Sequence, residues 1–246
     1  MLQFKNEDGY NIIKLDNGVP NSLSSSLICE FSAILDRAAD QRLPLVITGN
    51  PKFFSMGLNL PEVIEFSKDE FRDYIEKFDL LVHKIFTLPV PVVCALEGHA
   101  VAGGAILALA CDMRIGVDEA RKFGCNEARL GVPVPYLPTM LFRNIVSQQI
   151  ADKLIFQGEI ISFRDALGYG LMDSLVPESE IIQAAGECAK DMIQGAVEAF
   201  SAMKSMKTDP VTEKFHENNE EYTGRFVQCW YEPSSQDLIR KAAQHF

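Results

Sequence analysis

Two pairs of residues stand just beyond apolar runs, where a chain turns out of a sheet. Met56-Gly57 follows the run at 43–48, and Gly103-Gly104 follows the run at 92–96. Glycine at such a junction accepts backbone angles closed to other residues and lets a ligand approach the main chain. A helix starting at Gly103 would leave its first amides unpaired at the positive end of its dipole. Two such amides converging on one point would hold an oxygen that becomes negative during a reaction. A carboxylate that could move a proton nearby is Glu127, in the stretch Phe123-Gly124-Cys125-Asn126-Glu127-Ala128-Arg129-Leu130-Gly131. Residue type alone leaves plainer readings open: glycines beside strands commonly make turns, and glutamates commonly sit on solvated surfaces.

The elements that would position these groups follow from local pattern. Residues 1–16 read as a hairpin turning at Asp8-Gly9. Ser24 or Ser25 can cap a helix to about Ala39, with Leu27, Phe31, Ile34 and Leu35 on one face. Runs at 43–48, 92–96 and 112–117 read as buried strands, and 53–60 as a loop. Phe71, Ile75, Phe78, Leu81 and Ile85 recur at three- and four-residue steps, which predicts a helix over 68–87. Small residues from Ala102 to Ala110 predict another. Beyond Gly131 helices are predicted at about 137–156, 162–168, 178–194, 196–206, 211–229 and 234–244. Strands and helices alternate first and helices dominate later, so the expectation is one α/β domain over 1–246, with a helical C-terminal region from about 196.

Composition excludes several classes. A chain of 246 residues buries a full core as one domain. With 34 acids against 23 bases and a net charge of −11, neither a nucleic-acid backbone nor an anionic membrane surface is the expected partner. Six dispersed cysteines without a Cys-x-x-Cys pair read as reduced buried thiols, which points to the cytoplasm. No signal peptide, apolar run of ~18 residues or peroxisomal tail is evident. No residue spacing suggests a metal site, and Gly98-His-Ala-Val-Ala-Gly is not a dinucleotide fingerprint. His99 reads as structural and His216 as a surface residue, while His83 and His245 receive no role.

Four ordered motifs carry a family resemblance. Leu45-Val46-Ile47-Thr48-Gly49-Asn50, then Phe54-Ser55-Met56-Gly57-Leu58-Asn59-Leu60, resembles the Thr-Gly and Phe-Ser-x-Gly-x-Asp-Leu stretch of the crotonases, the enoyl-CoA hydratases and isomerases. Pro91 to Gly104 resembles that family's Pro-Val-x-Ala-x-x-Gly-x-Ala-x-Gly-Gly-Gly, with Ala102 in place of the first of those three glycines. Cys111-Asp112-Met113-Arg114-Ile115 and the Glu127 segment follow in family order, and similarity continues through Ala166–Asp173 and Val176-Pro177. It covers nearly the whole chain.

The resemblance implies a spiral of ββα units and an acyl-CoA substrate whose thioester oxygen is held by the main-chain amides of Met56 and Gly103. It implies that Phe54 and Leu58 lie near the CoA adenine. Family hydratases use two glutamates; here the first position is Ile106 and the second is Glu127, preceded by Asn126 instead of proline. One carboxylate suits a proton shuttle, so the expected activity resembles that of the Δ3,Δ2-enoyl-CoA isomerases. Another crotonase reaction (hydration, decarboxylation or thioester hydrolysis) and non-catalytic acyl-CoA binding are the alternatives. The segment Pro133–Pro138 should reshape the acyl tunnel, with Tyr136 able to line it. Lys52 and Lys241 are candidates for the CoA phosphates. No cofactor beyond the CoA of the substrate is expected. Phe226, Trp230 and Tyr231 read as packing residues, and the resemblance implies a trimer or a pair of trimers.

Overall fold

The Asp8-Gly9 turn joins β1 (Leu2–Glu7) to β2 (Tyr10–Leu15), an antiparallel pair in which Leu2 faces Leu15. Gly9, at φ 82°, takes the left-handed conformation the turn requires. The computed structural model describes residues 1–194 and 196–244, so His245 lies outside the described residues. Ser24 caps α1 (Ser25–Gln41) by accepting from the Leu27 amide at 3.2 Å, and the predicted apolar face is buried. Next come β3 (Leu45–Thr48), β4 (Phe53–Ser55), the single turn α2 (Leu60–Val63) and α3 (Lys68–Thr87). The start of α3 is a capping box between Ser67 and Glu70.

A second round repeats the pattern with β5 (Val92–Leu96), β6 (His99–Val101) and α4 (Gly103–Ala110). A third has β7 (Met113–Val117), β8 (Lys122–Gly124), a 3-10 turn at Glu127–Leu130, then α5 (Tyr136–Ile145) and α6 (Gln148–Gln157). The chain closes with β9 (Ile161–Ser162), α7 (Phe163–Tyr169), β10 (Ser174–Val176), α8 (Ile181–Asp191), α9 (Val197–Trp230) and α10 (Pro233–Ala243).

Each round places its longer strand in one sheet and its short strand in another, which makes a spiral of ββα units. The larger sheet has the order β1-β2-β3-β5-β7-β10 and is parallel from β2 onward. The smaller one runs β4-β6-β8-β9, with its first three strands parallel. The segment 53–60, expected as a loop, therefore holds a strand. Three residues are too few to display a period of two, so its pairing with β6 is a tertiary matter.

Two helix boundaries also differ from expectation. The single helix predicted over 137–156 breaks at Ser147, whose side chain caps α6 through the Ile150 amide. The break predicted between 206 and 211 is absent, and α9 runs through Pro210 for 34 residues. Proline removes its own amide donor, but burial anchors this helix on both sides of it, through Lys204, Thr208, Val211 and Phe215. Lys204 is held by Asp112 Oδ2 at 2.6 Å and the Val90 carbonyl at 3.2 Å.

Candidate active site

The smaller sheet delivers the three marked segments to one place. Because β4, β6 and β8 are parallel neighbours, their carboxyl ends share an edge, and Met56, Ala102 and Cys125 follow directly. Ligand sites of parallel sheets commonly lie beyond such an edge. Gly57 (φ 90°) packs so closely against α4 that an added Cβ would come within 2.6 Å of the Gly103 nitrogen. A Cβ on Gly104 would collide with the Ser55 carbonyl oxygen. The glycines are thus required by contact between two backbones as well as by turn geometry.

The loop after β4 is held by residues that the sequence reading did not mark. Ser55 Oγ donates to the Asn21 carbonyl at 2.8 Å and accepts from the Gly57 amide at 3.0 Å. Leu23 N–H donates to the Gly57 carbonyl at 2.8 Å, and Asn59 N–H donates to the Leu23 carbonyl at 3.3 Å. These bonds decide which amide is free. The Met56 amide, expected as an oxyanion donor, already donates to the Pro20 carbonyl at 3.0 Å. The bridge to Leu23 turns the Gly57 carbonyl and the Asn59 amide one way and leaves the Leu58 amide facing the other. Among the described residues, nothing accepts from the amides of Leu58 or Gly103. Ahead of Gly103, Ala102 has φ 50° and ψ −125°, a strained conformation for a residue with a Cβ.

Leu58 and Gly103 border a cavity of about 230 Å³. Its rim includes the partly exposed Met56, Leu58, Ala102 and Asn126, and its base is formed by buried apolar groups such as Ile75, Phe78, Ile106 and Phe226. Glu127 is the one ionisable side chain in the described lining. It opens the 3-10 turn after β8 and is 7% exposed. Burial pushes its carboxyl from 4.5 up to about 7, against smaller opposing effects of its own amide and the Cys125 thiol. Its Oε2 has no hydrogen-bond partner among the described residues, and neither has the Oδ1 of Asn126 beside it. An apolar cavity with one poised carboxylate and two free amides nearby can polarise a carbonyl and transfer a proton.

The structure brings Glu127, Gly103, Leu58 and Ile106 to this cavity and leaves Phe54, Tyr136, Lys52 and Lys241 elsewhere. Phe54 is fully buried on β4, where its ring belongs to the core and cannot meet an adenine. Tyr136 stacks on Tyr222 with ring centres 4.6 Å apart and lines a separate groove, because the start of α5 faces α9 there. Met56 still lines the rim, although its amide is engaged by the Pro20 carbonyl. Lys52 and Lys241 are exposed and do not line the cavity. His99 is structural, its Nδ1 accepting from the Lys122 amide at 2.9 Å. Phe226 and Trp230, read from sequence as packing residues, do pack, and they also wall the cavity. Their four-residue spacing put them on one helical face but could not say what that face met. Ala242 of α10 completes the rim, so the C-terminal helices close the cavity of their own chain. No cluster of metal-ligating side chains occurs among the described residues.

The model of the family described as enoyl-CoA hydratase/isomerase matches residues 5–246. The enoyl-CoA isomerase/hydratase fer4 of Mycosarcoma maydis is 31% identical over 180 residues, 72% of this chain and 65% of that protein. The mitochondrial enoyl-CoA delta isomerase 1 of Mus musculus is 28% identical over 185 residues, 74% of this chain and 64% of that protein. The matched segments thus span slightly less than two thirds of those two relatives. The short-chain-enoyl-CoA hydratase of Clostridium acetobutylicum is 31% identical over 191 residues, 75% of this chain and 71% of that protein. Among solved structures, an enoyl-CoA hydratase/isomerase family protein from Pseudomonas syringae superimposes with a TM-score of 0.86 at 26% identity, covering 92% of this chain and 97% of its own. Human mitochondrial delta3-delta2-enoyl-CoA isomerase reaches 0.94 at 23% identity, covering 99% and 97%, a likeness of fold.

Proposed function

The chain belongs to the enoyl-CoA hydratase/isomerase family, the crotonases, and from that premise we propose that it is a Δ3,Δ2-enoyl-CoA isomerase. The observation that carries this reading is Glu127, the one ionisable group in the described lining of the cavity, with apolar Ile106 one helical turn beyond Gly103. In the proposed reaction the amides of Leu58 and Gly103 donate to the thioester oxygen of a 3-enoyl-CoA. Their donation stabilises the negative charge that develops there and makes the C2 proton removable. The Glu127 carboxylate takes that proton and the C2–H pair forms a dienolate whose charge rests on the thioester oxygen. As the carbonyl re-forms, the C2–C3 double bond is made and the former C3–C4 pair takes the proton back from Glu127 at C4. Nothing is oxidised, no water enters, and the carboxylate is regenerated. A carboxyl titrating near neutrality suits both halves of this transfer. Hydration would need a second group to place and activate water, and Ile106 has nothing to offer it. The CoA is part of the substrate, so the reaction needs no separate cofactor.

The test is incubation with a trans-3-enoyl-CoA while the conjugated 2-enoyl product is followed. Glu127→Gln is expected to lower turnover by at least ~10² while acyl-CoA binding persists. Equal turnover in the two proteins would overturn the assignment. So would hydration of a 2-enoyl-CoA by the wild type faster than isomerisation. Binding without turnover in either protein would mark a non-catalytic acyl-CoA binder.

A further inference from the structure

The cavity has a mouth and a blind end. Its rim residues are partly exposed, whereas its base, which includes Val132, Pro135, Phe226 and Trp230, is buried and offers no charged or amide side chain. Beside that base lies a second, solvent-facing groove of about 550 Å³, largely apolar through Val134, Tyr136, Ile155, Phe156 and Tyr222, with Arg143 and Arg225 also in its wall. Pro135 and Phe226 belong to the walls of both. The segment from 132 to 135 alternates across the boundary, with Val132 on the first cavity and Pro133 and Val134 on the second. On α9, Trp230 faces the first, Tyr222 and Arg225 face the second, and Phe226 stands between them.

We propose that Phe226 is the specificity-determining residue for acyl length, its ring being the partition that ends the acyl cavity and walls off an apolar extension. The inference rests on the acyl-CoA reading above. A chain entering with its thioester at Leu58 and Gly103 near the rim must run toward the base, where Phe226 meets its end. A smaller residue at 226 joins the two spaces, and Tyr136 then becomes a lining residue of the longer tunnel. Pro135, rigid in backbone and small in side chain, cannot block that passage alone. Phe226 also packs in the aromatic cluster of Phe71 and Trp230, with ring centres 6.1 and 6.3 Å away, which fixes the ring in its place.

The experiment measures dissociation constants of saturated acyl-CoAs from four to sixteen carbons for the wild type, Phe226→Leu and Phe226→Ala. Cooperative thermal unfolding is checked for each. Every methylene that finds apolar space should tighten binding about fourfold. The wild type should gain affinity up to a limiting length and then level off. The limit should move out by two or more carbons in the alanine variant, with leucine between. If Phe226→Leu folds cooperatively and keeps the wild-type limit, the partition is refuted even where every protein binds acyl-CoA. If the wild type binds none of the series, the acyl-CoA reading itself fails and this inference falls with it. Rates on 3-enoyl-CoAs of the same lengths give an independent ranking, and identical length profiles in wild type and leucine variant would also refute it.

Discussion

Glu127→Gln should change stability in a manner that depends on pH, and the size of the effect can be worked out. The Glu127 carboxyl titrates at about 7 in the folded protein against 4.5 for the exposed group. A folded value raised above the unfolded one means that the native state binds the proton more tightly. Between the two values the folded chain carries more protons, so rising pH drains stability, and above about 7 the cost of the buried charge is constant. At pH 5 most of that cost is absent, because the buried group is still neutral. At pH 8 the full difference, ~3 kcal/mol at ~1.4 kcal/mol per pH unit, is present. Glutamine matches the neutral carboxyl in shape and does not titrate. Any constant cost of burying its amide cancels when two pH values are compared. The variant should therefore gain ~2–3 kcal/mol relative to wild type between pH 5 and pH 8, or ~5–10 °C in melting temperature for a chain of this size. Asp79, another buried acid raised to about 7, is present in both proteins and drops out of the difference. Urea unfolding at pH 5 and pH 8 reads the quantity directly. A wild-type-to-variant gap that stays constant across this range would refute the desolvation argument for Glu127, and with it the explanation of its poise for proton transfer.

Two other outcomes follow from the same structure. If the Glu127 carboxylate starts the reaction, kcat/KM on a 3-enoyl-CoA should rise with pH through about 7 and then level off; a profile flat from pH 5 to pH 8 would contradict that role. Lys204→Ala should destabilise the chain by ~3–5 kcal/mol, because it removes the close cation from the buried Asp112 carboxylate and leaves it the Val92 amide and a Lys207 3.9 Å away; a loss below 1 kcal/mol in urea unfolding would show that Lys204 does not tie α9 to the sheet.

Part of this was legible one residue at a time. The step of three and four from Phe71 to Ile85 marks α3, found over Lys68–Thr87 as expected. The central strand 92–96 announces itself by unbroken apolar character, as buried parallel strands do. The ordered motifs locate Gly103 and Glu127 and show Ile106 in place of a second acid. These features lie in neighbouring residues or in spacing along the chain, so order alone carries them.

Other features exist only once distant segments meet. Whether Met56 or Leu58 offers a free amide depends on Pro20 and Leu23, more than thirty residues earlier, because hydrogen bonding in the loop sets the direction of each N–H. Tyr136 stacks on Tyr222 outside the cavity, and the course of α9, unbroken where a gap between 206 and 211 was expected, brings Phe226 and Trp230 to its wall. The chain order by itself carried the family resemblance, the early helices and the retained acid Glu127. Only the tertiary structure decided which backbone amides at the cavity are free and which side chains wall it, since amide direction and cavity walls are made by non-local contacts that no local pattern encodes.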